Sequence, residues 1–263
     1  MDGRSWLATL GAFRVASRRS EELVEMEQFR TYGVTHPGAV RQNNEDAFVD
    51  RPELGIWAVA DGAGGHDAGE VASETVATAL QSLPGELTAE ELLAKVRECL
   101  REANTALQSL ANEKGEGTIV ATTVVVLVIR HGHFACLWAG DSRAYLLRNG
   151  ELLRVTRDHS LVQQLVDAGK ITADDAERHP NANIITRAVG VSDSVELDKV
   201  TGPLVEGDRF LLCSDGLPKA LEENALAEIL AADEPRAAAE GLLEAALSHE
   251  ARDNVTVVVV EPV

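Results

Sequence analysis

The chain has 263 residues, of which 45% are hydrophobic and 25% charged, the balance of an ordinary globular protein. Its formal charge of -19 argues against nucleic acid or a membrane as a partner, because phosphate backbones and anionic lipids are bound through Lys and Arg. No apolar run approaches the length of a membrane-spanning helix.

The first 27 residues are interpreted as an N-terminal extension, disordered or helical, that precedes a single domain over 28–263. A short apolar patch lies at Trp6–Phe13. Asp2 precedes this patch and no small-residue cleavage site follows it, so we predict neither a signal peptide nor an anchor.

The three cysteines, Cys99, Cys136 and Cys213, are far apart and form no CxxC pair. This pattern argues against a disulfide framework or a zinc finger and favours a reducing compartment, so we expect a cytoplasmic protein. Apolar neighbours predict that the thiols are buried as small hydrophobic groups.

Strands are predicted at about 29–35, 46–51 and 55–60, followed by two helices. The first helix should bury one face, made of Val71, Ala72, Val76, Ala79 and Leu80. Thr88 and Glu91 form a capping-box pattern that opens the second helix. The apolar face of this second helix comprises Leu92, Leu93, Val96, Leu100, Ala103 and Leu107.

The middle of the chain predicts a meander of strands. Residues 122–129, "TTVVVLVI", form a β-branched run typical of a strand buried on both faces. His131-Gly132-His133 is expected at a hairpin tip; its HxH pair could bind a metal, but a turn with two exposed imidazoles is favoured. Asn149-Gly150 predicts a second, type I′ hairpin.

Residues 158–187 become polar and helical, then irregular, before a strand at 208–216. Two helices over about 218–250 and a final strand, "NVTVVVVE", complete the pattern. Helices grouped between antiparallel strands predict an α+β domain with sheets in the middle and helices outside.

Carboxylates recur where the predicted strands end. Asp61, Asp141 and Asp215 follow apolar strands, and Asp253 precedes the last one. Glu45 and Asp46 lie at the start of another strand; a single such ending is usually only a turn, but the repetition predicts convergence at one rim of the sheets.

Converging carboxylates need cations to offset their repulsion. Oxygen ligands without His or Cys select hard ions such as Mg2+ or Mn2+, and two such ions can support in-line displacement at phosphorus. A guanidinium matches phosphate oxygens, and Arg41 lies four residues before Glu45.

The loop "VADGAGGH" at 59–66 could be a phosphate cradle, a metal site or a tight turn. A phosphate loop would run into a helix start and would carry a Lys-Ser or Lys-Thr end, which is missing here. The loop is therefore interpreted as a metal platform, in which Gly62 allows the backbone to approach closely.

Several segments together resemble the metal-dependent protein phosphatase family, also called type 2C serine/threonine phosphatases, and its bacterial branch in particular. The resemblance runs from about Thr31 to Glu261 in the family's order. The segments are "GAVRQNNEDAF" (38–48), "VADGAGGHDAGEVAS" (59–73), "ATTVVVLVI" (121–129), "WAGDSRAYLLRNG" (138–150), "TRDHSLV" (156–162), "ITRAVG" (185–190), "GDRFLLCSDGL" (207–217) and "ARDNVTVVVV" (251–260).

The resemblance implies a four-layer α-β-β-α sandwich with a binuclear metal centre at one edge. It implies Mn2+ or Mg2+ as cofactor, with two core ions and a weaker third. The implied activity is hydrolysis of phosphoserine and phosphothreonine in proteins, with a metal-bridging hydroxide attacking phosphorus in line. The implied partners are phosphorylated proteins, a serine/threonine kinase and its substrates, including in secretion-system regulation; we expect a monomer.

By position in the family's motifs, Asp61 would bridge the two core ions and the carbonyl of Gly62 would bind the second. Asp215 and Asp253 would complete the shell of the first ion.

The resemblance also assigns Glu45 to the second ion, partly through water, with Asp46 supporting it. Asp141 would hold the third ion together with Asp215, and Arg41 would bind the substrate phosphate. Segment 158–187 corresponds to the family's mobile flap.

One position departs from many eukaryotic members of the family, which have a histidine directly after the Asp-Gly pair. This chain has Ala63 there. The proton donor to the leaving group is therefore left open between a metal-bound water and His66, for which a structural role is the alternative.

Two other functions fit the same residues. A pseudophosphatase would bind phosphoproteins without turnover, but the complete set of acidic positions argues against it. A metal phosphohydrolase acting on small molecules is the second alternative, although no signature for base stacking or sugar recognition supports it.

Overall fold

The computed structural model describes residues 28–64, 68–85, 87–115 and 117–263. The predicted N-terminal extension (1–27) and His66 lie outside these ranges. Within them the chain folds into two antiparallel sheets with helices on both outer faces.

The strands of the described residues follow the predicted order with one addition, a strand at Asp198–Pro203 that the sequence pattern did not predict. They are β1 (Phe29–His36), β2 (Asp46–Arg51), β3 (Ile56–Gly64), β4 (Val120–Thr122), β5 (Val124–Arg130), β6 (His133–Ala139), β7 (Arg143–Arg148), β8 (Glu151–Arg154), β9 (Asp198–Pro203), β10 (Arg209–Cys213) and β11 (Val255–Pro262). The first sheet has the order β1-β11-β10-β7-β8. The second has the order β2-β3-β5-β6-β9, with β4 paired to β3.

All helices of the described residues lie between strands in the chain. They are α1 (Ala68–Gln81), α2 (Ala89–Lys114), α3 (Leu161–Asp167), α4 (Ala173–Glu177), α5 (Gly216–Ala220), α6 (Glu223–Leu230) and α7 (Pro235–Ser248), together with a 3-10 turn at Pro52–Leu54. No helix in the described ranges is both long and apolar enough to cross a membrane.

Three apolar layers hold the sandwich together. One lies between α1, α2 and the second sheet, and another between α5–α7 and the first sheet. The third fills the space between the sheets, where the rings of Phe134 and Phe210 meet edge to face at 5.1 Å. Because strand side chains alternate between faces, both faces of the central strands are apolar. The predicted α-β-β-α sandwich is confirmed.

The predicted continuous strand at 122–129 is wrong, because the chain breaks at Thr123 between β4 and β5. The Thr123 amide donates to the carbonyl of Asp61 at 2.8 Å, and its hydroxyl accepts the Asp61 amide at 3.2 Å. β3 correspondingly continues past its predicted end to Gly64, where β4 pairs with it. A side chain thus replaces one link of the backbone ladder next to Asp61.

The helix predictions need two corrections. Ala72, Val76 and Leu80 are buried as predicted. Val71 is exposed and Ala79 only half-buried, because the buried face of α1 is completed by Gly69, Ser73 and Ala77 instead. The C-terminal region contains three helices where two were expected, because the chain turns at Leu221 between α5 and α6. The capping box of Thr88 and the buried face of α2 are confirmed.

Both hairpin turns are confirmed. His131 and Gly132 have positive φ between β5 and β6, and so do Asn149 and Gly150 between β7 and β8. The two imidazoles of the HxH pair are exposed, and His133 Nδ1 lies 2.9 Å from the carbonyl oxygen of His131. The turn interpretation therefore holds.

The cysteine thiols are free; Cys136 and Cys213 are buried, whereas Cys99 is half-buried. Burial raises the pKa of all three, that of Cys213 to about 12, so Cys136 and Cys213 pack as small apolar groups, as predicted.

A buried ion pair closes the end of the sandwich farthest from the carboxylate loops. Arg148 donates two hydrogen bonds to Asp208, at 2.7 and 2.6 Å, and one to the carbonyl of Pro203 at 2.9 Å. The Asp208 side chain is fully buried and also accepts the Val205 amide. Removing the carboxylate would leave a buried guanidinium without its counter-ion.

We expect Asp208→Ala to lower the free energy of unfolding by about 3–5 kcal/mol, measured by urea denaturation. Glu98→Ala removes an exposed partner of Lys95 and should leave the free energy of unfolding nearly unchanged. Equal losses in the two variants would show that the buried pair has no special weight.

Candidate metal centre

The carboxylates lie at one end of the sandwich, where strands of both sheets begin or end. This end is called the carboxylate edge below. Asp141 lies between β6 and β7, Asp215 follows β10, and Asp253 precedes β11. Glu45 directly precedes β2. Because neighbouring strands are antiparallel, the starts of β2, β7 and β11 lie at the same edge as the ends of β3, β6 and β10.

Asp46 and Asp61 are directly opposite each other in the β2–β3 ladder. Asp46 is buried, and one of its oxygens accepts the Thr256 hydroxyl at 2.7 Å. The Asp61 backbone is held on both sides by Thr123. The backbone of both residues is therefore fixed, and the Asp46 carboxylate is also held by its own hydrogen bond.

Two glycines allow the backbone to pack tightly beside these groups. A Cβ on Gly62 would lie 2.0 Å from the carbonyl oxygen of Gly69 and 2.7 Å from that of Glu45. A Cβ on Gly69 would lie 2.7 Å from the Glu45 side-chain carboxyl. The close approach expected at Gly62 is thus made to α1 and to Glu45, and it positions the Glu45 carboxyl beside the edge.

Sequence reasoning missed the residue that ties this edge together, Asn254. Its Oδ1 accepts the amide of Glu45 at 2.8 Å. Its Nδ2 donates to the carbonyls of Pro37 and Asn43 at 3.0 and 2.9 Å. A buried Asn directly after Asp253 was the available signal, but its partners lie more than 200 residues away and only the fold brings them into reach.

Burial and mutual repulsion raise the pKa of four of these carboxyls, those of Asp46, Asp61, Asp141 and Asp215. Asp61 has a pKa well above the ordinary value, first through burial and then through the charges of Asp46, Asp215, Asp141 and Asp253. Burial raises the pKa of Asp46 to about 7 and that of Asp141 to about 8. Asp215 shifts in the same direction by burial, although Lys219 opposes it. The edge therefore concentrates negative charge that the protein alone neutralises poorly.

Two side-chain cations contact the group. Lys219 forms an ion pair with Asp215 one helical turn earlier, and Arg41 lies 3.1 Å from Asp253. In the described part of the chain, no three acidic, histidine or cysteine side chains lie close enough together to enclose a metal ion as they stand. Two of the predicted ligands are instead paired with these internal cations.

The donor set nevertheless fits hard divalent ions. All its side-chain donors are carboxylate oxygens, the type that Mg2+ and Mn2+ prefer. Within the described residues, Asp46 Oδ1 is buried without a hydrogen-bond partner, which is costly for a carboxylate. The orphaned oxygen and the raised pKa values of its neighbours both indicate a missing positive charge.

The remaining predicted positions lie around this edge. Ala63 is exposed near the end of β3, and His66 follows it outside the described residues. Segment 158–187 is anchored next to Asp141: the His159 amide donates to the carbonyl of Gly140 at 2.9 Å, and the Thr186 amide donates to His159 at 2.7 Å. Both ends of the predicted flap, residues 158–187, therefore lie beside Asp141.

We expect the chelator-treated protein to lose stability as the pH rises from about 6.5 to 8. Asp46 and Asp141 keep protons in the folded state that the unfolded chain has already released, so the free energy of unfolding falls with pH. His159 has a lowered pKa and acts in the opposite direction, but only below about 6.5. Thermal unfolding in EDTA across this range measures the slope.

Asp141→Asn should flatten this pH dependence, because the amide needs no proton, and Mn2+ should raise the melting temperature more at the higher pH. Greater stability of the chelated protein at pH 8 than at 6.5 would contradict the expectation that Asp46 and Asp141 keep their protons in the folded state.

Comparison with known proteins identifies the family. Residues 35–249 match the family described as Protein phosphatase 2C. The chain is 39% identical over 226 residues to the serine/threonine protein phosphatase PstP of Mycobacterium tuberculosis, covering 86% of this chain and 43% of that protein. The chain thus spans less than half the length of that relative.

Two solved structures share the fold. One is described as PppA, a key regulatory component of T6SS in Pseudomonas aeruginosa; it is 38% identical with a TM-score of 0.83, over 90% of this chain and 98% of that one. The other is the catalytic domain of PstP in complex with two manganese ions, at 38% identity and a TM-score of 0.81, over 89% and 98% of the two chains. With the motifs in register along one carboxylate-rich edge, the chain belongs to the protein phosphatase 2C family.

Proposed function

We propose that this chain is a metal-dependent phosphatase that removes phosphate from phosphoserine and phosphothreonine in proteins. The observation that carries the proposal is the group of buried carboxyls with raised pKa at one sheet edge, in a chain of the 2C family. Such a group is energetically unfavourable by itself and suits divalent cations. Residues 28–263 would form one catalytic domain.

Two ions would be held by the carboxylates that come from different strands. Asp61 would contact both, Asp215 and Asp253 the first, and Glu45 with the carbonyl of Gly62 the second. Asp46, which lies opposite Asp61 in the β2–β3 ladder, would support these ligands without binding an ion directly. The manganese complex of the related PstP domain supports a pair of ions. Bound divalent ions supply Lewis acidity and an activated water for in-line attack at phosphorus.

A weaker third ion would use Asp141 together with Asp215. Both carboxyls have raised pKa values, and the charge of Asp215 is the second cause, after burial, of the shift at Asp141. Mn2+ and Mg2+ are both compatible with this donor set.

Arg41 would hold the substrate phosphate. Its side chain is half exposed at the rim, and its guanidinium already contacts a carboxylate of the centre, Asp253, at 3.1 Å. The same planar fork can accept phosphate oxygens, placing a phosphoryl group directly over the carboxylates.

The leaving alkoxide needs a proton. Ala63 cannot supply it, and the candidates remain an activated water and His66, which lies outside the described residues.

The substrates would be proteins phosphorylated by a serine/threonine kinase. The relatives are named serine/threonine protein phosphatases, which supports this substrate class. PppA is described as a key regulatory component of T6SS in Pseudomonas aeruginosa, and a role of this chain in secretion-system regulation stays a prediction. A monomer in the cytoplasm remains our expectation.

We expect the purified protein to hydrolyse a phosphothreonine peptide and an aryl phosphate with Mn2+ or Mg2+, and to stop in EDTA. Asp215→Asn should lower kcat by more than about 100-fold, because the centre loses a charged ligand. Asp233→Asn, an exposed position after α6, makes the same chemical change and should leave kcat unchanged.

Turnover of Asp215→Asn that persists in EDTA would refute the proposal. Tight phosphopeptide binding without phosphate release would support the pseudophosphatase alternative. A higher kcat/KM for small phosphate metabolites than for phosphopeptides would support the small-molecule alternative.

We expect Arg41→Ala to lower kcat/KM for a phosphopeptide by about 10–100-fold, mainly through KM, since it removes charged hydrogen bonds to phosphate. Arg41→Lys should retain part of the effect, because it keeps the charge but loses the fork. The exposed Arg97 on α2 provides the matched control, Arg97→Ala. An Arg41→Ala enzyme with unchanged kcat/KM would exclude a phosphate-binding role.

A further inference from the structure

Lys219 is a cation inside the carboxylate group that the proposed function does not use. It lies on α5, and its ammonium forms an ion pair with the carboxylate of Asp215, four residues earlier. The Asp215 side chain is 16% exposed and that of Lys219 is 44% exposed. The ammonium thus reaches the mostly buried carboxylate of Asp215, while the Lys219 side chain as a whole is partly exposed to solvent.

The charge of Lys219 acts on more than one carboxylate. Burial lowers the pKa of Lys219, but Asp215, Asp141 and Asp253 together raise it above its ordinary value, the first also through a hydrogen bond. In return, Lys219 opposes the upward pKa shifts of Asp215 and Asp141. The ammonium therefore lies within electrostatic range of both carboxylates proposed for the third ion.

A divalent ion at this position would meet two obstacles. An oxygen lone pair engaged by an ammonium is not free to bind a metal, and a fixed positive charge nearby repels an incoming dication. Because its side chain is partly exposed, Lys219 can turn toward solvent when an ion replaces it.

We propose that Lys219 is a tethered counter-cation that competes with a divalent ion for the Asp215–Asp141 side of the centre. It would neutralise these carboxylates when the metal concentration is low, and it would lower the affinity of the site for the divalent ion that binds there. This inference rests on the proposed metal-dependent function. Lys219 differs from Arg41, which pairs with Asp253 at the rim and is free to turn to a substrate phosphate.

Calorimetric titration of the metal-free protein with Mn2+ tests the inference without measuring turnover. We expect Lys219→Met to tighten the weakest Mn2+ site about 10-fold, because the competing charge is gone. Lys219→Arg keeps the charge and should bind Mn2+ as the unmodified chain does. Lys219→Gln is a second neutral variant, which should match Lys219→Met.

Lys95→Met is the matched control. Lys95 also pairs with a carboxylate within one helical turn, that of Glu98, and its side chain is 49% exposed. The substitution removes the same charge at α2, away from the carboxylate edge, and should change Mn2+ affinity less than about twofold.

The metal-free protein offers a second readout. Without Mn2+, Lys219→Met should melt at a lower temperature than the unmodified chain, and saturating Mn2+ should remove most of that difference. Lys95→Met should show neither effect.

Neutral Lys219 variants that bind Mn2+ no more tightly than Lys95→Met would overturn the inference, and so would weaker binding, which would mean that Lys219 orients Asp215. If the unmodified chain itself binds no Mn2+, the proposed function fails. If that chain binds Mn2+ and hydrolyses phosphopeptides while the variants show no gain, only the role of Lys219 fails.

Discussion

Repulsion among carboxylates at one sheet edge is the constraint on which the rest of this structure depends. Asp61 is affected by the charges of four other aspartates, and burial strengthens each interaction by excluding water. Within the described residues, two counter-charges, Lys219 and Arg41, contact this group, and one buried oxygen of Asp46 has no hydrogen-bond partner. The folded chain thus contains a charge imbalance that divalent cations would relieve.

The scaffold holds Asp61 and Glu45 through hydrogen bonds to their backbone groups. Thr123 contacts the backbone of Asp61, and Asn254 contacts the backbone of Glu45. The glycines at 62 and 69 let α1 pack against the strand edge without a side chain between them. Fixing Asp61 and Glu45 through their backbone lowers the entropy that would be lost when an ion binds. Part of the formal charge of -19 is thus concentrated at the carboxylate edge, where it would attract divalent cations.

Apolar periodicity predicted the elements well where burial alone decides the structure. The face of α2 and the strands of the central layers follow directly from the spacing of their apolar residues. The same reasoning failed at Thr123, where the β-branched run gives no sign that a side chain interrupts the ladder. It also failed at Val71, because the buried face of α1 includes Gly69, which packs so close to Glu45 that no side chain fits there.

The sequence by itself determined the layered α+β architecture, the family, and the acidic residues placed at strand ends, since these depend on local pattern and motif order. Only the tertiary structure decided which groups meet: that Asn254 bridges two distant segments, and that Lys219 reaches the same carboxylates as the proposed third ion. These contacts join residues from separate strands and helices. Their energies depend on burial and on distance, and neither quantity exists until the two sheets have closed on each other.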